Sequence, residues 1–184
     1  PRVRRQRQMC IRDSNYLGKK VNSLSDGNRM KLMIAGVLAR DTKMLLMDEP
    51  ASPLDPLMRD RLCDLIREYL LEEEGKRTVF FSTHNIADME NVTDYAIIMS
   101  HGQIAEAGFV EDLKEKYVMV KGEVKDLACA QKVLYSIHST KYGYEGICLS
   151  EKLDELAGCD ISVETASLSQ ISVAIMKHFA SNAK

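Results

Sequence analysis

Two adjacent carboxylates and one histidine stand where phosphate and magnesium chemistry could occur. Asp48 and Glu49 follow the apolar run 44–47, and His84 follows the run 78–83. Open α/β sheets bind ligands at the carboxyl ends of their strands. One carboxylate there could hold Mg²⁺ while the other polarises an attacking water. Alone, the acid pair is equally well explained as a solvated strand end, and a single histidine is more often an ordinary polar residue.

A second candidate is the segment 24–28, Leu-Ser-Asp-Gly-Asn, which precedes an amphipathic stretch. Ser25 is a favourable helix N-cap, and Gly27 allows close approach of backbone to a ligand. Such a helix start offers free N–H groups and a positive dipole end to an anion. Taken alone this signal is weak, because a Ser/Gly helix start is common.

The periodicity of the chain predicts a parallel α/β sheet that positions these residues. The run 44–47 is apolar without alternation, which predicts a parallel strand buried on both faces. A turn-rich loop from Pro50 to Pro56 follows it. The remaining predicted elements are helices over 29–41, 57–72, 86–91 and 110–116, and strands over 78–83, 95–99 and 103–107, with a turn at His101-Gly102 between the last two strands.

After Tyr117 the pattern changes to that of a small α+β appendage. We predict strands over 118–120, 146–149 and 161–164, and a helix over 126–135. The final helix begins with a capping box, Ser167-x-x-Gln170. Its apolar face is predicted to contain Leu168, Ile171, Ile175 and Phe179. No motif in this appendage suggests chemistry.

Composition limits the classes of protein that the chain can belong to. The 184 residues are 45% hydrophobic, and the apolar runs are far shorter than the roughly 20 residues needed to cross a bilayer. The five cysteines are scattered and contain no CxxC pair, which argues against a disulfide framework or a zinc site. Five arginines lie in residues 1–13, and the rest has 20 basic and 26 acidic residues, so charge does not indicate a nucleic-acid partner.

Residues 1–13 have no usable periodicity. A basic arm for nucleic acid or anionic lipid is one interpretation. We prefer another, in which the string resembles translated adapter sequence and is a non-native leader that carries no fold information. That interpretation implies that the natural chain was cut here.

The order of the motifs resembles the ATP-binding subunits of ABC transporters, over residues 24–117. Leu-Ser-x-Gly-x precedes an apolar run that ends in Asp-Glu-Pro, then come Ser52-x-Leu54-Asp55 and Ser82-Thr83-His84. His101-Gly102-x-Ile104 and Gly108-x-x-x-Asp112-Leu113 fit the distal hairpin and closing helix of that family. The resemblance implies a partial P-loop-NTPase-like parallel sheet with flanking helices in residues 14–117, followed by the α+β extension 118–184.

The resemblance also implies a role for each matching residue. Ser25, Gly27 and Asn28 correspond to the signature motif, which contacts ATP held by the opposite subunit. Asp48 corresponds to the Walker B carboxylate that holds Mg²⁺, and Glu49 to the catalytic base. Two further matches are Asp55, as the D-loop acid that couples the two sites of a dimer, and His84, as the switch histidine at the γ-phosphate.

Three features depart from the family pattern. Asp26 replaces a glycine, which costs little if its side chain points to solvent and would repel ATP if it points inward. Asn28 replaces glutamine and shortens the amide's reach. Most importantly, no G-x-x-x-x-G-K-[S/T] phosphate loop occurs in the chain. Because that loop supplies most of the phosphate binding, we expect the 184-residue chain to be inactive alone.

The function implied is that of an ATP-hydrolysing subunit of a membrane ABC transporter. Its partners would be a second ATPase subunit, identical or different and arranged head to tail, and transmembrane permease subunits. It would lie in the cytoplasm on the inner face of the membrane. Two alternatives stay open: a non-transport ABC ATPase acting on ribosomes or DNA, and a non-catalytic module in which residues 118–184 bind a regulator.

Overall fold

The computed structural model describes residues 20–40 and 42–182, which form two compact units. The first unit ends at Val92 and the second begins at Thr93. The predicted leader, residues 1–13, lies outside the described residues. The domain boundary at 117/118, which rests on the family resemblance, stays a prediction.

The first unit alternates helices with two strands. Its elements are α1 (Asp26–Leu38), β1 (Met44–Asp48), α2 (Pro56–Leu71), β2 (Thr78–Ser82) and α3 (Ile86–Met89). Strands β1 and β2 pair in parallel, with Met44 opposite Thr78 and Asp48 opposite Ser82. This confirms the predicted parallel arrangement. The first helix was predicted to end near residues 40–41 and ends at Leu38 instead; residue 41 lies outside the described residues.

The core of the first unit lies between α1, β1 and α2. Helix α2 contributes five buried side chains, Leu62, Cys63, Leu65, Ile66 and Tyr69. The hydroxyl of Tyr69 donates to the carbonyl oxygen of Thr42 at 2.6 Å, so this buried phenol is satisfied by the segment that leads into β1. The hydrogen bond ties the C-terminal half of α2 to the start of the strand that ends in the acid pair.

The prediction that the strand over 44–47 is buried on both faces is wrong. Leu45 is only 2% exposed, whereas Leu46 is 70% exposed and Met44 is also exposed. Leu45 faces the core formed by α1 and α2. Among the described residues of the first unit, nothing covers the opposite face, so the strand is apolar on a face that this unit leaves open.

The second unit begins with an antiparallel hairpin, β3 (Tyr95–Ser100) and β4 (Gln103–Phe109). His101 and Gly102 connect the strands with positive φ angles of 51° and 76°, which confirms the predicted turn. Helix α4 (Val110–Lys116) follows directly. Burial raises the pKa of the Glu106 carboxyl, but hydrogen bonds from Lys116 at 2.6 Å and Tyr117 at 2.7 Å outweigh it, so the pKa is lowered.

A four-stranded antiparallel sheet with strand order β6-β7-β5-β8 forms the rest of this unit. The strands are β5 (Tyr117–Gly122), β6 (Tyr135–Ser139), β7 (Tyr144–Leu149) and β8 (Ile161–Thr165). The predicted helix over 126–135 is wrong in its second half. Helix α5 covers only Leu127–Ala130, and Tyr135 begins strand β6, because pairing with β7 decides the conformation there.

The final helix, α6 (Leu168–Asn182), packs against β3, β4, β6 and β7. Its predicted capping box is confirmed. The N–H of Gln170 donates to the hydroxyl oxygen of Ser167 at 3.2 Å, and the N–H of Ser167 donates to the side-chain oxygen of Gln170 at 2.9 Å. Ile171 and Ile175 are buried on the predicted apolar face, together with Ser172. Among the described residues, no helix is sufficiently long and apolar to span a membrane.

The cap at Ser167 provides a test of this fold. Ser167→Ala removes the acceptor for the Gln170 N–H, and we expect a loss of about 1 kcal/mol in the free energy of unfolding, measured by urea titration. Ser169→Ala, within the same first turn, is the matched control and should change it by less than about 0.5 kcal/mol. Equal losses in the two variants would contradict the capping role.

Candidate functional site

The ends of β1 and β2 bring together Asp48, Glu49 and the segment 82–84. The hydroxyl of Ser82 donates to the Oδ1 atom of Asp48, its direct partner in the strand register. The backbone N–H of Glu49 donates to the carbonyl oxygen of Ser82 at 3.0 Å, which extends the parallel ladder by one bond. The structure therefore places the two acids and the histidine segment at one sheet edge, as predicted.

Glu49 turns back sharply from the strand. Its φ of +46° lies in the left-handed region, which costs a residue with a side chain roughly 1–2 kcal/mol. Its Oε1 atom accepts the backbone N–H of His84 at 2.8 Å, and its Oε2 atom lies 3.5 Å from the Thr83 hydroxyl. Both carboxylate oxygens are thus held by the segment that follows β2, and these bonds offset the backbone strain.

The imidazole of His84 completes this arrangement. Its Nδ1 atom lies 2.7 Å from Oε1 of Glu49, while the side chain is 75% exposed. An ionised carboxylate only accepts hydrogen bonds, so Nδ1 carries the proton in this contact. The Nε2 atom is then the free end of the ring, and it can donate to an external anion only when the imidazole is protonated.

The start of α1 forms a second group. The hydroxyl of Ser25 accepts the N–H of Asn28 at 3.4 Å, which confirms Ser25 as the N-cap. A Cβ atom on Gly27 would lie 3.0 Å from the carbonyl oxygen of Pro53. Gly27 therefore lets the helix start approach the loop between β1 and α2. Among the described residues, no hydrogen bond joins this group to Asp48, Glu49 or His84.

The side chain of Asp26, which stands where the family pattern has a glycine, points to solvent. Its side chain is 83% exposed and lies 3.2 Å from the guanidinium of Arg29, one turn along the helix. The sequence left open whether this carboxylate points to solvent or inward, and the structure shows the solvent-facing direction.

Asp55 lies at the start of α2 and caps it, because its carboxylate accepts the N–H of Met58 at 3.0 Å. The loop that carries Asp55 is held by a group that sequence reasoning missed. Arg59 donates through Nε to the carbonyl oxygen of Leu54 at 2.9 Å and through a terminal nitrogen to Asp88 at 2.6 Å. Asn85, next to His84, donates to the same Asp88 oxygen.

This contact set, Arg59, Asp88 and Asn85, connects the Asp55 loop to the His84 segment. The Asp88 carbonyl oxygen also accepts the thiol of Cys63 at 3.3 Å. Arg59 and Asp88 are 29 residues apart, so neither periodicity nor spacing could have paired them.

The first unit has an apolar groove with a volume of about 190 Å³ beside β1. Side chains of α1, β1 and α2 line it, and it reaches Asp48 and Pro50. Its apolar lining consists mainly of Met30, Met33, Ile34, Val37, Leu45 and Leu46.

Comparison with known proteins supports the family resemblance. The sequence profile of the ABC transporter family matches residues 4–52. The chain is 38% identical over 97 residues to the phosphate import ATP-binding protein PstB 2 of Listeria monocytogenes, covering 53% of this chain and 34% of the relative. It is 28% identical over 145 residues to the energy-coupling factor transporter ATP-binding protein EcfA2 of Enterococcus faecalis, covering 79% and 49%.

Among solved structures, an ATP-binding subunit of an ABC transporter superposes with a TM-score of 0.51 at 24% identity, covering 61% of this chain and 47% of that one. This likeness confirms the P-loop-NTPase-like fold. The chain spans about half, or less, of the length of these curated relatives. Together these matches make the chain similar to part of the nucleotide-binding domain of ABC ATPases.

Gly27 provides the first test of the site geometry. Gly27→Ala places a methyl group against the Pro53 carbonyl oxygen, and we expect a loss of about 1 kcal/mol in unfolding free energy. The control is Gly36→Ala in the same helix, where the new methyl group has open space. It should stabilise by about 0.5–1 kcal/mol. Equal stabilisation in both urea titrations would contradict the close approach.

Arg59 provides the second test. Arg59→Met leaves the part-buried Asp88 carboxylate and the Leu54 carbonyl without this donor, so we expect a loss of about 1–3 kcal/mol. Hydrogen exchange of the α2 amides measures it within the first unit. Arg29→Met, which removes only the exposed pair with Asp26, should cost less than about 1 kcal/mol. Similar losses would show that Arg59 does not hold the two loops.

Proposed function

We propose that this chain is part of an ATP-hydrolysing subunit of a membrane ABC transporter. The observation that carries the proposal is the hydrogen-bonded pair of Glu49 and His84 at the edge formed by β1 and β2. A charged acid and a histidine joined in this way suit activation of water and contact with a phosphate. ATP-driven closure of two such subunits would be coupled to transport.

The donor chemistry at Asp48 fits magnesium. Mg²⁺ in phosphate-transfer sites uses one or two carboxylates, with water and phosphate oxygens completing its octahedron. Asp48 is exposed at the strand end, and one of its oxygens is oriented by the Ser82 hydroxyl. No group of three or more acidic, histidine or cysteine side chains that could hold a metal exists among the described residues. Asp48 would therefore hold the ion only together with nucleotide phosphates and water. The bound ion would neutralise charge on the phosphates.

Glu49 and His84 would divide the remaining chemistry. The Glu49 carboxylate would accept a proton from the attacking water. The exposed Nε2 end of His84 would donate to the terminal phosphate, which requires the protonated ring because Nδ1 is already committed to Glu49. Because His84 also donates its backbone N–H to Glu49, a shift of the histidine segment would reorient the base.

The start of α1 would serve the nucleotide of a partner subunit. Ser25, Gly27 and Asn28 lie at the N-terminal end of a 13-residue helix, where free N–H groups favour an anion. The outward position of Asp26 supports this role, because its charge is paired with Arg29 on the solvent side. Asp55, on the loop that Gly27 approaches, would couple the two sites of the dimer.

We further infer that the 184-residue chain does not bind or hydrolyse ATP by itself. It contains no phosphate-loop motif, and its two Gly-Lys pairs, at 18–19 and 75–76, lack the upstream glycine and following hydroxyl. The exposed apolar face of β1, where Leu46 is 70% exposed, supports this inference, because parallel sheets are normally covered on both faces. Residues supplied elsewhere would complete both the sheet and the nucleotide site.

The proposed partners are a second ATPase subunit, arranged head to tail, and transmembrane permease subunits. The proposed location is the cytoplasmic face of the membrane. The names of the PstB 2 and EcfA2 relatives, which refer to phosphate import and energy-coupling factor transport, support a transporter. Co-purification of the full-length subunit with ribosomes or DNA, rather than with a membrane protein, would favour the non-transport alternative instead.

Activity measurements test the proposal. The purified chain should show no magnesium-dependent ATP hydrolysis, whereas the gene product that includes its upstream coding region should hydrolyse ATP. In that longer protein Glu49→Gln and His84→Ala should each lower kcat by about 10²-fold or more.

Glu145 is an exposed carboxylate on β7 and provides the matched control. The Glu145→Gln variant should leave kcat unchanged. Hydrolysis by the 184-residue chain that Glu49→Gln abolishes would overturn the inference that it is inactive alone. Full activity of the longer Glu49→Gln variant would overturn the role of the base.

A further inference from the structure

The histidine of the candidate site lies between two anchored neighbours. The hydroxyl oxygen of Thr83 accepts the backbone N–H of Asn85 at 3.0 Å, and this bond closes a bend at His84. The side-chain amide of Asn85 donates to the Oδ2 atom of Asp88, which lies in the short helix α3. The position of segment 83–85 therefore depends on where the Asp88 carboxylate is held.

Helix α2 holds that carboxylate. The guanidinium of Arg59 donates to the same Oδ2 atom of Asp88 at 2.6 Å, and the two side chains are only 28% and 24% exposed. The Nε atom of Arg59 donates to the carbonyl oxygen of Leu54, a buried residue of the loop before α2, at 2.9 Å. Hydrogen bonds between two charged groups are roughly twice as strong as neutral ones, so the ion pair is the firmest contact of this group.

On its other side, segment 83–85 contacts the candidate base. The backbone N–H of His84 donates to Oε1 of Glu49 at 2.8 Å, and the imidazole Nδ1 lies 2.7 Å from the same oxygen. Because both contacts share one acceptor atom, a displacement of the segment would lengthen them together. The orientation of the acid and the histidine thus depends on a support that begins in α2.

We propose that Arg59 is a positioning residue that keeps His84 in contact with Glu49. It acts through Asp88 and Asn85, and its own side-chain hydrogen bonds go to other residues than the acid and the histidine. The kinetic part of this inference rests on the proposed function, in which a base and a histidine held in advance would lower the barrier to attack by water. The hold on His84 itself can be measured without nucleotide.

A second arginine of α2 provides the matched control. Arg67 also contacts a segment beyond its own helix, because its guanidinium donates to the carbonyl oxygen of Asn91 at 3.2 Å. It pairs as well with Asp64, 3.1 Å away in the same helix. Neither contact joins segment 83–85. Removing Arg67 therefore removes a connection from α2 to the chain after α3, while the contact to Asp88 stays in place.

The first test measures the hold on His84 in the 184-residue chain. Asn85→Ala removes the amide that contacts Asp88 and leaves the ion pair with Arg59 intact. We expect exchange of the His84 amide proton, followed by NMR, to become about 10-fold faster in this variant and in Arg59→Met. In Asn85→Ala the hydrogen-bonded amides of β1 and β2 should keep their rates, which separates a local effect from unfolding. Arg67→Met should leave the His84 rate unchanged.

The second test measures turnover in the longer protein that includes the upstream coding region. Arg59→Met and Asn85→Ala should each lower kcat by about 10-fold, with a change in the KM for ATP of less than about 3-fold. Arg59→Lys keeps a cation for Asp88 and should recover most of the lost kcat. Added to His84→Ala, Arg59→Met should lower kcat by less than about 2-fold further, because it acts through the histidine.

The two tests separate this proposal from the proposed function. If the longer protein does not hydrolyse ATP, or if its Glu49→Gln variant is fully active, the proposed function fails, and the amide exchange of His84 still decides whether the segment is held. Positioning by Arg59 is overturned by an unchanged His84 exchange rate in Asn85→Ala. It is also overturned by equal losses of kcat in Arg59→Met and Arg67→Met, or by fully multiplicative losses in the double variant.

Discussion

The parallel pairing of β1 with β2 is the constraint on which the candidate site depends. Its register places Asp48 opposite Ser82, and the ladder continues through the Glu49 N–H to the Ser82 carbonyl at 3.0 Å. A slip by one residue would move every side chain of one strand to the other face of the sheet. The contact between Glu49 and His84 is thus a consequence of backbone pairing that begins at Met44 and Thr78.

Local interactions hold the site against an unfavourable backbone. Glu49 adopts a left-handed conformation, and hydrogen bonds from the His84 segment to its carboxylate offset the cost. That segment is held in turn by Asp88 and Arg59, and Arg59 also holds the carbonyl before Asp55. The acid, the histidine and the loop expected to face a partner therefore share one network.

Short-range features of the fold were predicted well. The helix caps at Ser25 and Ser167, the turn at His101-Gly102 and helix α4 all depend on residues within four positions of one another. Two features that depend on distant partners were predicted wrongly. The helix predicted over 126–135 contains the start of β6, because pairing with β7 outweighs local propensity there. The face of β1 opposite Leu45 is open, because burial depends on which elements are present and not on how apolar the strand is.

The sequence alone indicated the resemblance to ABC ATPases and the residues of the candidate site, because the order and spacing of motifs can be read without coordinates. Asp48, Glu49 and His84 could be placed at one sheet edge from the rule that parallel strands end together. Only the tertiary structure decided that Asp26 points to solvent, that both oxygens of Glu49 are held by the His84 segment, and that Arg59 bridges two loops. The contacts of Glu49 and the ion pair of Arg59 join residues 29 or more positions apart, and the direction of Asp26 depends on its side-chain rotamer. A linear pattern of residues encodes neither.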